Sequence, residues 1–303
     1  MYPSTKAVQR PLLLSTLVFV DLETTGLPSS TFKPEITELC MLATSRFSVE
    51  QSDVTHIRVQ NKLNLCFYPN RTMNAVAARV SGLNKTNLFH QKDFDSTAVK
   101  MIQLFVKRLD PPVCFLAHNG NHFDFPLLRA QLCGVKGEQF RLLDCEDSPI
   151  VCVDTLPLFT ELNHLLVPRT PGNDSGFDSM DDRTGPDDKM FPLLHSSPKK
   201  PGVSFRLGDV YSRVFGSGHA HAHSAEGDCI AMLKLVHHLG LSAVDWLQVH
   251  YTDFNSIPPM YRHPSADQPS DPTDFPYKRR LGDSASSSAL KDTVEELSKF
   301  RLD

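Results

Sequence analysis

Residues 19–26 (FVDLETTG) place two acidic side chains directly after an apolar run. The run at 17–20 is short and rich in β-branched and aromatic residues, which is typical of a buried strand. Side chains two residues apart on a strand project from the same face, so Asp21 and Glu23 point the same way. Hard oxygen ligands suit a divalent cation, which relieves the repulsion between two such carboxylates. The stretch therefore predicts a strand that ends in two acids; a solvated strand end explains these two acids alone, and a metal site is the alternative that further acids would support.

Around this strand, apolar patterns predict further strands and helices. Strands are expected at 37–43, 63–68, 113–117 and 151–153, and helices at 96–109, 125–132, 228–239 and around Trp246. Strands come first and then alternate with helices, which indicates an α/β fold.

A second acid lies in residues 117–126 (AHNGNHFDFP), where a buried strand runs into a polar turn. Asp124 precedes a helix with Pro126 in its first turn, a position that proline favours. Taken alone, Asp124 is better explained by capping of this helix.

A third element is residues 219–228 (HAHAHSAEGD). Asp228 opens an amphipathic helix, and His223 precedes it by five residues on a Gly/Ala/His-rich stretch. This stretch would let the imidazole of His223 reach over a site anchored by Asp228. The alternative is a solvent-exposed loop, and His219 and His221, at other spacings, are expected to be dispensable.

Composition excludes several classes of protein. The 31 Lys+Arg against 35 Asp+Glu leave a net charge of −4. This charge argues against a protein that coats nucleic acid through an overall positive charge. The seven cysteines are scattered and form no C-x-x-C pair, so neither a disulfide framework nor a zinc site is expected. We expect an intracellular protein of the nucleus, the cytoplasm or both, without a membrane span, because no apolar run approaches about 18 residues.

The chain is expected to form one catalytic domain at 15–262. Residues 1–14 are an N-terminal extension, and residues 263–303 are a polar, mostly disordered tail. The domain is interrupted at about 167–203 by a Pro/Asp/Ser-rich insertion whose scattered apolar residues cannot offset the entropy of ordering it.

Together, Asp-x-Glu, Asp and His-x4-Asp, in this order, resemble the DEDDh branch of the DnaQ-type 3′–5′ exonucleases. Five segments are similar to the three-prime repair exonuclease (TREX) family: 19–28, 37–40, 116–128, 222–228 and 257–261. The resemblance covers roughly residues 15–160 and 203–262. His122 stands where the best-known members have arginine, so this cationic contact to substrate is expected to be weaker.

The resemblance implies an RNase H-like mixed sheet flanked by helices. It also implies a 3′–5′ deoxyribonuclease that releases 5′-mononucleotides by two-metal hydrolysis, with Mg²⁺ and with Mn²⁺ as a substitute. The implied metal ligands are Asp21, which bridges both ions, Glu23 and Asp228, which complete one site, and Asp124, which supports the other. His223 is the implied general base.

For the substrate, the resemblance implies that Leu27 wedges beside the terminal base while Val80 packs on its other side. Phe123 supports the terminal nucleotide, and the backbone around Thr24 meets the 3′ hydroxyl. Glu23 and His223 also face the substrate. For the three apolar residues, burial in the core is the alternative.

The implied partners are 3′ ends of single-stranded or frayed duplex DNA, and a second copy of the chain paired along the strand at 63–68. An RNA-directed exonuclease of the same superfamily would share every catalytic residue. A catalytically idle interaction protein, built around the proline-rich insertion, is the other alternative, although a binding module has no need of an intact acid-and-histidine set.

Overall fold

A mixed sheet with helices on both faces organises the protein. The structure is a computed structural model and describes residues 12–51, 57–168 and 203–262. The strands are β1 (Thr16–Thr24), β2 (Ile36–Ser45), β3 (Asn61–Cys66), β4 (Val113–Ala117), β5 (Val151–Asp154) and β6 (Thr252–Asp253). The helices are α1 (Arg46–Glu50), α2 (Ala75–Ser81), α3 (Ser96–Lys107), α4 (Asp124–Lys136), α5 (Thr155–Glu161), α6 (Leu207–Phe215), α7 (Ala225–Leu239) and α8 (Leu241–Leu247). None of these helices is long and apolar enough to cross a bilayer.

The strand order is β3-β2-β1-β4-β5-β6. Strand β1 pairs antiparallel with β2 and parallel with β4, and β4 pairs parallel with β5. The carboxyl ends of β1, β4 and β5 therefore lie at one edge of the sheet. In open α/β sheets this edge is where ligand sites form.

Strand β1 is apolar on both faces because helices cover both. Leu17 and Phe19 belong to the core formed with α6, α7 and α8, whereas Val18, Val20 and Leu22 belong to the core formed with α3 and α4. A strand buried on both sides is a continuous apolar run rather than an alternating one. By the same alternation, Asp21 and Glu23 continue the face that packs against α7.

Most of the predicted elements are confirmed, with shifted ends. The third strand ends at Cys66 rather than at residue 68, and α3 ends at Lys107 rather than at residue 109. Helix α7 begins at Ala225, three residues earlier than predicted, because the Ser224 side chain caps it by accepting from the Gly227 amide. Helices α1, α2, α5 and α6 were not predicted.

The predicted domain boundaries are only partly within the described residues. The tail and most of the insertion, residues 263–303 and 169–202, lie outside them. Of the N-terminal extension, residues 12–14 are described and pack with the domain. The Leu12 amide donates to the Gln248 carbonyl at 2.9 Å, and the side chain of Leu14 is fully buried.

Candidate active site

The acids of β1 meet the helix that covers their face. One carboxylate oxygen each of Asp21, Glu23 and Asp228 can be chosen so that all three lie within 4.8 Å of one another. All three residues are half-buried, at the end of a strand whose apolar residues are buried. The structure therefore brings three of the four predicted acids together.

The start of α7 is fixed by the sheet, which positions Asp228. The Glu38 carboxylate on β2 accepts a hydrogen bond of 3.1 Å from the Ala225 amide, at the first residue of the helix. Glu38 is paired in register with Glu23 on β1. The sheet therefore holds the first turn of α7, and Asp228 lies in that turn.

Asp124 reaches the same place from the opposite face of the sheet. It is the first residue of α4 and is buried. Its carboxylate accepts from its own amide and from the amide of Leu22, the residue between Asp21 and Glu23. Asp124 is therefore more than a cap for its own helix, because its side chain bonds to β1 between the other two acids.

Crowding raises the pKa values of these carboxyl groups. Burial raises the pKa of Asp21 well above its usual value, and Asp124, Asp228 and Glu23 raise it further. Burial and the neighbouring Asp228 raise the pKa of Glu23 to about 8, and burial with nearby Asp154 raises that of Asp124 to about 8. A compact set of hard oxygen donors that repel one another fits divalent cations, which neutralise the repulsion.

The histidine loop contacts Asp228 in two ways. The backbone amide of His223 donates to Asp228 Oδ2 at 3.2 Å, while its side chain is exposed. The imidazole on Asp228 belongs instead to His219, whose Nε2 lies 2.6 Å from Asp228 Oδ1. The structure thus places on Asp228 a histidine that the spacing of the motif did not single out. Both His221 and His223 have left-handed backbones, with φ of 57° and 64°.

The predicted substrate-contacting apolar residues are mostly exposed, so burial in the core is excluded for Leu27 and Val80. Leu27 is 78% exposed in the loop after β1, and Val80 is 47% exposed on α2. Phe123 is half-buried against the core. Thr24 is buried, and its hydroxyl donates to the Gly26 carbonyl at 3.0 Å.

One hydrogen bond connects the two segments that carry Leu27 and Val80. The amide of Asn74, which caps α2, donates to the Thr25 carbonyl at 2.8 Å. This bond joins the start of α2 to the turn that precedes Leu27. The exposed apolar side chains of the turn and the helix are therefore presented from connected segments.

Sequence reasoning missed three residues that shape the site: Glu38, Asp154 and His219. Asp154 ends β5, and its two oxygens accept from the Asn121 and Leu156 amides at 3.2 and 2.9 Å. Its position directly after a predicted strand was a usable signal, because β5 ends at the same edge as β1. Nothing in the spacing of the three histidines distinguished His219.

Comparison with known proteins gives sequence relatives over most of the chain. No protein-family model matches it. Three-prime repair exonuclease 1 of Bos taurus is 32% identical over 259 residues, which cover 82% of this chain and 71% of that protein. Three prime repair exonuclease 2 of Homo sapiens is 32% identical over 263 residues, which cover 84% of this chain and 95% of that protein.

A solved structure of exonuclease I shares the fold, with a TM-score of 0.51 at 16% identity over 78% of this chain. The match spans 44% of the exonuclease I chain, which is less than half its length. The mixed sheet, with its acids at the carboxyl ends of the strands, is thus the DnaQ-type, RNase H-like fold. Because the sequence relatives cover more than four-fifths of the residues, the chain belongs to the three-prime repair exonuclease family and is an exonuclease.

Proposed function

We propose that this exonuclease hydrolyses DNA from the 3′ end and releases 5′-mononucleotides. The observation that carries the proposal is the approach of Asp21, Glu23 and Asp228 to within 4.8 Å, with Asp124 bonded to the strand between the first two. The 3′ polarity is supported by the relatives, which are named for action at the three-prime end.

The four acids would hold divalent cations, for which we propose two Mg²⁺ ions, replaceable by Mn²⁺. When bound, such ions stabilise the attacking and the leaving oxygen of an in-line displacement at phosphorus. Asp21, between its three acidic neighbours, would contact both ions. Glu23 and Asp228 would complete one site, and Asp124 would serve the other.

His223 would act as the general base. Its exposed imidazole lies on a loop whose backbone is hydrogen-bonded to Asp228. The ring is therefore tethered beside the acids without itself being a metal ligand. A histidine so placed can take a proton from the attacking water while the water oxygen forms its bond to phosphorus. The 3′ oxygen of the preceding nucleotide leaves, and the released product keeps the phosphate on its 5′ oxygen.

The 3′-terminal nucleotide would be held by apolar contacts rather than by base-specific hydrogen bonds. Leu27 and Val80 are exposed on connected segments, and Phe123 directly precedes Asp124. Packing against base faces tolerates any sequence, which suits an enzyme that shortens DNA strands stepwise. We propose single-stranded or frayed 3′ ends as substrates, because the terminal base must be unpaired to pack in this way.

The test is digestion of matched DNA and RNA oligonucleotides labelled at the 5′ end. Wild-type enzyme with Mg²⁺ should give a ladder of progressively shorter 5′-labelled DNA, and EDTA should abolish it. RNA should be degraded much more slowly. Release of the labelled nucleotide first would contradict the 3′ polarity, and faster degradation of RNA would identify an RNA-directed enzyme.

We also propose that two copies pair along β3. This strand is at the edge of the sheet formed by the described residues, and exposed edges pair readily with another chain. Lys62 and Asn64 on β3 bond the carboxylate of Glu226, on the first turn of α7, at 2.8 and 3.4 Å. Light scattering of active enzyme at micromolar concentration should give twice the chain mass of 33.9 kDa. A monomeric mass would contradict the proposal.

A further inference from the structure

A buried imidazole contacts one of the four acids. His219 Nε2 lies 2.6 Å from Asp228 Oδ1, and only 7% of the His219 side chain is exposed. This distance is slightly shorter than the roughly 2.7–3.2 Å usual for hydrogen bonds between nitrogen and oxygen, of which bonds to charged groups are the shorter ones. The contact joins the beginning of the histidine loop to the first turn of α7.

Packing fixes the orientation of this imidazole. Its ring lies 5.4 Å from the ring of Tyr211, centroid to centroid, and Tyr211 is itself buried on α6 and packs against Phe215 at 4.6 Å. His219 Nδ1 is buried and has no hydrogen-bond partner among the described residues. Buried donors are rarely left unpaired, so the proton of a neutral ring belongs on Nε2, which then donates to Asp228.

The second oxygen of Asp228 is bonded to the other end of the same loop. The His223 amide donates to Oδ2 at 3.2 Å, so the carboxylate joins both ends of residues 219–223. The loop packs directly on the helix at position 227. A side chain there would collide with the His221 carbonyl oxygen, so only glycine fits. An ionised carboxylate has about four acceptor sites, so two donated bonds leave capacity for a cation.

We infer that His219 is a positioning residue for the metal site. Its imidazole holds the Asp228 carboxylate in the orientation in which its remaining lone pairs face Asp21 and Glu23. Metal-ligating groups are commonly oriented by such outer hydrogen bonds. Through the same carboxylate, His219 helps to hold the loop that carries His223. The inference deepens the proposed function and rests on it for the identity of Asp228 as a metal ligand.

The test is titration of Mn²⁺ into the metal-free, full-length protein by calorimetry, without DNA. His219→Phe keeps an aromatic ring against Tyr211 and removes the donor, and it should weaken Mn²⁺ binding by about 10- to 100-fold. His219→Gln supplies an amide donor and should recover most of the affinity. His221→Asn is the matched control in the same loop; asparagine tolerates the left-handed backbone, and affinity should stay at the wild-type value.

Melting temperatures in EDTA separate positioning from a merely structural role. They should be similar for wild type, His219→Phe and His219→Gln; if the phenylalanine variant melts far lower, His219→Ala replaces it in the titration. High Mn²⁺ should restore most of the DNA degradation rate of the donor-free variant. Mn²⁺ affinity within twofold of wild type in that variant would overturn the inference, and tighter binding would show instead that His219 competes with the cation.

Failure of the proposed function would be recognised separately. If wild-type protein binds Mn²⁺ but does not shorten DNA, the proposed substrate is wrong, while the affinities of the His219 variants still decide the role of His219. If Asp228→Asn binds Mn²⁺ as tightly as wild type, Asp228 is not a ligand and the inference is overturned with it.

Discussion

The carboxylate of Glu38 on β2 accepts a hydrogen bond from the amide of Ala225, the first residue of α7. This bond crosses 187 residues of sequence and fixes the turn of helix that carries Asp228. Glu38 is also the register partner of Glu23, so one carboxylate positions the helix beside the acids of the central strand.

Replacing Glu38 with alanine should therefore destabilise the protein. The buried Ala225 amide would lose its acceptor, which costs about 1–3 kcal/mol, whereas Glu38→Gln keeps an oxygen in place and should cost less. Urea denaturation of both variants in EDTA measures the free energies of unfolding. Equal stability of wild type and the alanine variant would show that this bond does not anchor α7.

Neutralising a metal ligand should abolish activity without unfolding the protein. Asp21→Asn and Asp228→Asn each remove a ligand charge, and loss of several kcal/mol of metal stabilisation corresponds to a rate decrease of about 10³-fold or more. The melting temperature of Asp21→Asn in EDTA should equal or exceed that of wild type, because a repelled carboxylate has been removed. Rates near wild type for either purified variant would contradict the assignment.

The metal-free protein should lose stability as the pH rises. The pKa values of Glu23 and Asp124 are about 8 in the folded state, against about 4 in an unfolded chain. Between these values the folded state binds more protons, so the free energy of unfolding falls as pH rises from about 5 to 8. Melting curves in EDTA across this range measure the decrease.

Two controls sharpen the pH prediction. Glu23→Gln cannot ionise, so its melting temperature should fall less steeply with pH. Added Mg²⁺ should raise the melting temperature more at pH 8 than at pH 6, because carboxylates must be deprotonated to bind a cation. Melting temperatures in EDTA that rise from pH 5 to 8 would contradict the prediction.

His223→Ala should lower the turnover number by about 10²- to 10⁴-fold, the usual contribution of a positioned acid–base group. Mn²⁺ affinity should change little, because only the backbone of His223 contacts Asp228. His221→Asn is the control and should retain wild-type turnover. Equal losses in the two variants would show that the loop acts through its collective charge rather than through His223.

Leu27→Ser and Val80→Ser should weaken substrate binding. Burying an exposed aliphatic side chain against a base contributes about 1.5–3 kcal/mol, so each variant should raise KM by roughly tenfold or more. Melting temperatures should stay unchanged, since both side chains are exposed. Leu104→Ser, on α3 and 59% exposed, is the matched control for removal of a surface leucine. Unchanged KM in both test variants would exclude these side chains from the substrate site.

Short continuous apolar runs predicted the central strands, because a strand covered by helices on both faces is apolar throughout. Short helices were missed since they depend on single capping side chains: Asn74 begins α2 and Asp154 begins α5. Neither helix, at seven residues, has enough sequence for a helical period to emerge.

The acids were predictable from order and spacing, whereas the histidine contacts were not. Asp21 and Glu23 share a face by strand geometry, and the motif order brought in Asp124 and Asp228. The contact of His219 with Asp228 depends on the left-handed backbone at His221 and His223. The spacing of residues in the sequence does not predict such a backbone conformation. Loop conformation, rather than residue type, decided which imidazole contacts Asp228.

The raised pKa values of the buried acids make metal loading an exchange reaction. At neutral pH the empty site holds protons on Glu23 and Asp124, and an entering cation must expel them into solvent. Mixing enzyme with Mg²⁺ in weak buffer should therefore acidify the solution. Half-saturation with Mg²⁺ should therefore require a higher concentration at pH 6 than at pH 8.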